Sequence, residues 1–557
     1  MTQRFLSGLL LLALAAAAAP AAAQGTVRRH LVYFRDKAGT PFSVAQPQAF
    51  LSARAVARRT RQGIAVLPRD LPVTPAYVAQ IRAVAGGPKV LYTSRWFNAA
   101  LVSCDSATLA RVVALPSVRS ATTLNRTARP AQPEVLVKTA DEPAARTLAG
   151  RAFYGKAYAQ NQQIGVPLMH DAGYRGEGMQ IAVFDTGFPG VNTLVPLRPL
   201  FLEQRLASTR NFVDGGTSVY QRGSHGTNCL STMAANEAGF FVGSAPKATY
   251  HLCITEDESS EHPVEEANWL AAAEYADSTG VDVISSSLGY TDFDAPSPAY
   301  TYADMNGRTA ISSRAATMAA RVGMLVVNAA GNEGNKPWRY ISAPADADSI
   351  LTVGAVDSLG SHAAFSSYGP TADGRIKPTL AAMGRATAVL APSGVAYRGN
   401  GTSFACPVLA GMAVAFWQAN PRLTAQQVIA ALRSTASQAT APDNTLGYGL
   451  PNFGRAHNSL NPNNPLDTAA AIPAESLALY PNPRGTGDLV LVLPAALRGV
   501  PLAVRVLDIR GAVVARQQLP ASAAAEVALK LGALAKGQYL CEVIAGTTRQ
   551  TVQFQQQ

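Results

Sequence analysis

Five short apolar runs constrain this 557-residue chain more than any other feature: IAVFDTG, KATYHLCI, VDVISSSLG, GMLVVNAAGN and SILTVGAVD. Most are continuous rather than alternating. Between them lie longer stretches of helical character, among them PVEEANWLAAAEYADSTG and TAISSRAATMAARVG. Strands buried on both faces and separated by helices imply an α/β fold, a parallel sheet with helices on both faces. In such sheets ligands gather at the carboxyl ends of the strands. Asp185, Ser287 and Asn332 each follow a strand run, so they can share one edge.

The flanks differ from this block. Residues 1–23 read as a secretory signal peptide: Arg4, an apolar run from Leu9 to Ala19, and Ala21-Ala22-Ala23 before Gln24. Residues 24–125 hold a compact α+β unit, with HLVYFRD and KVLYTSRWFNAALVSCD as strands and VTPAYVAQIRAVA as a helix that Thr74 caps. Residues 126–154 are a linker, 155–460 the main domain and 461–474 a second linker. Residues 475–557 carry short strands divided by Gly, Pro and Asp turns, the pattern of a small β-sandwich. No stretch after the first 23 residues reads as membrane-spanning, so the mature protein is expected to lack a transmembrane segment.

Charge and cysteines exclude two classes of partner. The net charge is +11, but the basic excess lies in residues 24–150, which leaves the rest near neutral. A nucleic-acid-binding main domain is therefore rejected. The five cysteines form no CxxC pair, which excludes a disulfide scaffold and a zinc cluster. Cys229 and Cys253 could pair or stay reduced.

Four residues could carry chemistry. Ser403, in GNGTSFACP, begins an apolar helix with Pro407 near its first turn, and Gly399 and Gly401 leave space before its hydroxyl. Alone it could simply be an N-cap. His225 sits between glycines in GSHGTNC, with no HxxxH partner for a metal. Asp185 ends a buried strand, where a carboxylate needs a partner such as an imidazole. Asn332, in VVNAAGNEG, is a turn residue or an amide donor to an oxyanion.

Together they resemble the subtilisin-like serine proteases (subtilases). The patterns are Asp185-Thr186-Gly187, His225-Gly226-Thr227, Ala329-Ala330-Gly331-Asn332 and Gly401-Thr402-Ser403-Phe404-Ala405-Cys406-Pro407, over about residues 155–457. The resemblance implies a subtilisin-like fold and a secreted serine endopeptidase. Ser403 would be the nucleophile, His225 the general base, Asp185 its orienter and Asn332 the oxyanion donor. Ser287, Leu288 and Gly289 would pair with extended substrate, and Gly331 would form the opposite wall, leaving room for a large apolar side chain. The chemistry would require no cofactor. Structural calcium is admitted by resemblance only, with its ligands unknown. The acidic stretch TEDESSEHPVEEA, 255–267, reads more simply as an exposed loop entering a helix.

The basic N-terminal unit resembles the prodomains of secreted subtilases, which would make it an intramolecular inhibitor. The C-terminal unit resembles the sorting domain of Bacteroidetes type IX cargo, through LYPNP, VRVLDIRGAVV and LGALAKGQYLCEV. That implies outer-membrane secretion machinery as a partner, polypeptides as substrates, and a secreted or cell-surface location. Two departures from the family pattern are Lys377-Pro378-Thr379 and Cys406, which is expected to pack against its helix. The tail, TVQFQQQ, departs from the usual lysine-containing strand. A catalytically silent peptide-binding protein on the same fold is the alternative, and an esterase or amidase a third reading.

Overall fold

A computed structural model describes residues 26–124, 152–463 and 465–466. In the C-terminal part it describes 477–480, 484, 488–493, 497–508, 511–522, 524, 526–546 and 548–556. The signal peptide, most of the first linker and much of the second lie outside the described residues. The chain divides into two compact units, 1–466 and 467–557.

The first unit opens with β1 (Arg28–Phe34), α1 (Ala53–Arg61), α2 (Pro75–Arg82), β2 (Lys89–Ser94), β3 (Ala99–Cys104), α3 (Ser106–Val113) and β4 (Val118–Thr123). The strands form an antiparallel sheet in the order β2-β3-β1-β4. Residue alternation gives each strand two faces. Val32 and Val102 pack with Ile81 and Val112 of the sheet's own helices. Leu31 and Leu101 face the other way and share a core with Trp269 and Ala316 of the main domain. Thr74 does not cap α2: its hydroxyl donates to Ala38 O at 3.2 Å, and Pro75 starts the helix. Helix α1 has no counterpart in the sequence reading, which its arginine-rich, weakly apolar composition explains.

The main domain contains β5 (Gln180–Asp185), β6 (Leu206–Asn211), α4 (His225–Ala234), β7 (Thr249–Ile254) and α5 (Val264–Thr279). There follow β8 (Val283–Ser286), α6 (Ile311–Arg321), β9 (Leu325–Ala329), β10 (Leu351–Val356), β11 (Leu380–Met383) and α7 (Thr402–Ala419). Seven parallel strands run β11-β10-β9-β8-β5-β7-β6. Ile181 and Val183 of β5 face a core built with α4 and α7. Ala182 and Phe184 face α5 and α6. The expected doubly covered sheet is therefore present. Helix α7 is long and apolar enough to cross a membrane, with mean hydropathy 1.3, but 89% of it is buried inside the protein. It is a core helix.

The acidic stretch runs into α5 as expected, and Glu258 and Glu261 are exposed, but its other acidic side chains are not. Glu256, Asp257, Glu265 and Glu266 are buried. Glu265 accepts from Asp257 N at 2.7 Å and His262 N at 3.0 Å, and Glu266 accepts from the Ser312 and Tyr300 hydroxyls at 2.7 Å each. These donors stand in for water, which is how the burial is tolerated. All five cysteines are buried and free, so the Cys229–Cys253 pairing is not formed.

In the second unit, β12 (Ala478–Tyr480), β13 (Leu489–Val492), β14 (Leu502–Leu507), β15 (Val513–Leu519), β16 (Glu526–Leu529), β17 (Gly537–Ala545) and β18 (Thr548–Gln556) form two antiparallel sheets. Their orders are β12-β13-β16 and β15-β14-β17-β18. Leu489, Leu491 and Leu529 of one sheet and Val504, Val506, Cys541, Val543 and Phe554 of the other fill a single core, the β-sandwich expected.

Candidate active site

Asp185 is the last residue of β5 and is fully buried, while His225 is the first residue of α4. His225 Nδ1 lies 2.7 Å from Asp185 Oδ1, which also accepts from Thr186 N at 2.8 Å. The carboxylate fixes Nδ1–H as the donor and leaves Nε2 as an acceptor. Burial works to lower the imidazole pKa, but the Asp185 charge outweighs it. The pKa stands well above the ordinary 6.5.

The approach of α4 to β5 depends on one residue without a side chain. A Cβ on Gly226 would stand 2.3 Å from Gly187 O and 2.9 Å from Asp185 Cβ. Gly226→Ala is therefore expected to push α4 away, costing about 1–3 kcal/mol of stability. A denaturant titration reads that loss, and activity should fall with it.

Ser403 is the second residue of α7, and 9% of it is exposed. Its hydroxyl donates to Ser287 O at 3.3 Å, and Ser287 Oγ donates back to Ser403 O at 2.8 Å. Cys229, one turn along α4 from His225, donates its thiol to the same carbonyl at 3.3 Å. That carbonyl is free to accept because of Pro407. Proline four residues on has no N–H to close the helical bond. Pro407 thus lies inside the helix rather than near its first turn, and its missing donor opens the Ser403 carbonyl to neighbours.

Cys229 Sγ also sits 3.7 Å from His225 Nδ1 and 3.9 Å from Nε2. Burial pushes this thiol up to about 11, so it is neutral beside the ring. The i, i+4 spacing in HGTNC was the available signal for this contact. Cys406 instead points at Ser286 O and Val327 O, 3.4 Å from each, so it packs against the sheet.

Asn332 follows β9 by three residues. Its Oδ1 accepts from Thr402 N at 2.9 Å and from Thr402 Oγ1 at 3.1 Å. This fixes the amide orientation. A Cβ on Gly401 would stand 3.6 Å from Ser403 N, 3.7 Å from Ser403 Cβ and 3.8 Å from Asn332 Nδ2. Two N–H donors and the serine thus border one space, which the absence of a side chain at Gly401 leaves open. Two donors about one pocket are what a developing oxyanion requires. Ser287 and Leu288 extend from β8 and are each 8% exposed, while Gly289 is exposed.

Asp185, His225 and Cys229 are the only three acid, histidine or cysteine residues among the described ones whose ligand atoms lie within 4.8 Å of one another. Nitrogen and a protonated sulfur do not suit calcium, which takes oxygen ligands.

The chain matches the Subtilase family over residues 176–449. Residues 29–136 match the peptidase S8 propeptide domain of Bacteroidota, and 478–555 the secretion system C-terminal sorting domain. Subtilisin E of Bacillus subtilis (strain 168) is 32% identical over 301 residues, 52% of this chain and 70% of the relative. Subtilisin of Bacillus pumilus is 32% identical over 279 residues, 49% and 90% of the two chains. Subtilisin Savinase of Lederbergia lenta is 30% identical over 291 residues, 52% and 94%. The chain belongs to the subtilase family. It is a subtilisin-like serine endopeptidase carrying its propeptide domain, and its sorting domain marks it as secreted or cell-surface.

Proposed function

We propose that this chain hydrolyses peptide bonds through an acyl-enzyme formed on Ser403. His225 takes the Ser403 proton as Oγ attacks the scissile carbonyl, then returns it to the leaving amine. Asp185 holds the imidazole in the accepting tautomer and stabilises the imidazolium. Asn332 Nδ2 and Ser403 N receive the oxyanion. Water then attacks the ester by the reverse route. The observation that carries this reading is the open space beside Gly401, bordered by both donors and the serine.

Extended substrate adds as a strand along Ser287, Leu288 and Gly289, with Gly331 opposite. The chain itself supplies nucleophile, base and oxyanion donors, so this chemistry needs no cofactor. Structural calcium is proposed on family likeness alone, with no site assigned. Residues 24–125 act as intramolecular inhibitor, 126–154 hold the maturation cut, and 155–460 are the peptidase domain. The domain at 475–557, with the linker 461–474 before it, addresses the outer-membrane secretion machinery.

A serine-directed fluorophosphonate probe tests the core of this. Labelling of a band that begins within the maturation region, absent in Ser403→Ala, is the expected result. Labelling retained in that variant would mean another nucleophile. Peptide binding with neither labelling nor turnover would favour the silent binding protein.

A further inference from the structure

Gly289 and Gly331 both border the Ser342 side chain, and a Cβ on Gly331 would also stand 2.8 Å from Ser367 Oγ. A Cβ on Gly289 would stand 2.1 Å from Ser342 Oγ, and one on Gly331 would stand 3.0 Å from the same oxygen. Gly331 also has φ +110°, where an L side chain is strained. Ser342 thus inserts its hydroxyl between the two glycines. Its N–H donates to Ala330 O at 3.3 Å, which ties its backbone to the segment leading into Gly331 and Asn332.

Nearby hydroxyls are engaged. Ser287 Oγ donates to Ser403 O at 2.8 Å, Ser367 Oγ accepts from Glu333 N at 3.0 Å, and Thr402 Oγ1 accepts from Gly331 N at 3.2 Å. Ser342 differs. It is 3% exposed, and its Oγ has no hydrogen-bond partner among the described residues. A buried hydroxyl without a partner is costly, and the cost ends when a ligand supplies one.

We propose that Ser342 Oγ reads the substrate side chain on the acyl side of the scissile bond and selects one ending in an amide. This rests on the proteolytic reading above. It replaces the large apolar side chain that the small wall residues alone would admit. Glutamine fits the requirement: its amide both donates to and accepts from a hydroxyl. Methionine has nearly the same length and shape but offers only a weak acceptor. A substrate carboxylate would meet a second buried acid behind the slot, Glu256, whose ionisation burial already resists by raising its pKa to about 7. Tyr290, paired with Ala343 through N–H to O at 2.7 Å, donates its hydroxyl to Glu256 at 2.6 Å. An ammonium would need a free carboxylate, but Glu256 Oε1 is held by the hydroxyls of Tyr290 and Thr255.

The test expresses the full chain, verifies by N-terminal mapping that residues 24–125 have been released, and uses two peptides identical except for glutamine or methionine at that position, with kcat and KM measured separately. In wild type the glutamine-to-methionine ratio of kcat/KM should exceed that of Ser342→Ala by about tenfold, the worth of one net hydrogen bond. Ser342→Ala should also cleave the methionine peptide faster than wild type, because no hydroxyl is left to be buried against it. Ser342→Cys keeps the size with a weaker donor and should fall between. An unchanged ratio, or equal losses on both peptides, would overturn this inference and leave the proteolytic reading standing. No cleavage of any peptide by wild type would overturn both.

Discussion

Asp185→Asn is expected to lower kcat on the order of 10⁴-fold with little change in KM. The amide keeps the size of the carboxylate but can offer its N–H to Nδ1. That favours the tautomer with the proton on Nε2, which cannot accept from Ser403. The variant also removes the largest influence raising the histidine pKa, leaving only the lesser one of Cys229. Burial, which lowers it, then meets much less opposition. The histidine must be neutral to act as base. Wild-type activity should therefore climb with pH along a limb above 6.5, and the residual activity of the variant along a limb at lower pH than that. A pH profile of kcat/KM for both proteins checks this. An acid limb at the same pH in both would count against Asp185 as its cause. The pair also carries a stability signature. Because the folded pKa is raised, its contribution is complete below about pH 6.5. It fades as pH rises through the raised value.

Asp277→Asn is expected to loosen the N-terminal unit from the main domain by about 3–5 kcal/mol, roughly 10²–10⁴-fold in the opening equilibrium. Asp277 lies on α5 and is fully buried. Arg58 of α1 pairs with it, Arg59 lies 2.6 Å away and Arg95 2.5 Å away. Arg59 reaches Asp70 as well, at 2.9 Å. Removing the central charge leaves three guanidiniums largely out of water with too few carboxylates. Hydrogen exchange in a Ser403→Ala background, where the chain stays whole, should show that loss of protection in α1 and the β2–β3 hairpin. Unchanged protection would mean that the shared apolar core carries the docking alone. Burial works to raise the Asp277 pKa, but the three arginines lower it overall. Its contribution is therefore present above the unfolded carboxylate pKa and lost only as pH falls through the lowered value. Mild acid should not release this contact.

Glu274 adds a different kind of tie. Its carboxylate accepts from Arg95 N at 2.8 Å, Trp96 N at 3.1 Å and Ser94 Oγ at 2.5 Å, so it caps the turn between β2 and β3. One helix of the main domain thus offers a charge to side chains through Asp277 and an acceptor to backbone through Glu274.

The sheet was legible because strands buried on both faces leave unbroken apolar runs. β6 and β11 were missed. LASTRN at β6 is largely polar, and LAAM at β11 is too short and alanine-rich to stand out. The four candidate catalytic residues were legible as local patterns. What orders them was not. Thr402 holding Asn332, Cys229 under His225 and Ser342 between two glycines all join segments distant in sequence. The acidic stretch misled for a related reason: charge density predicts exposure, and the hydroxyl and backbone donors that make burial tolerable lie elsewhere in the chain. Lys377 in the departing Lys-Pro-Thr segment is a similar case. It is buried, donates to Thr352 Oγ1 at 2.7 Å, and burial lowers its pKa to about 7.

The apolar helix α7 sets an order of assembly. The contact between Cys229 and Ser403 closes across 174 positions, and that between Ser287 and Ser403 across 116. Contacts so remote in sequence form late and slowly, as parallel sheets generally do. Until they form, α7 offers water an 18-residue apolar surface, and Ser403 stands apart from Cys229 and Ser287. Burying α7 therefore removes its apolar surface from water in the same step that brings Ser403 beside Cys229 and Ser287.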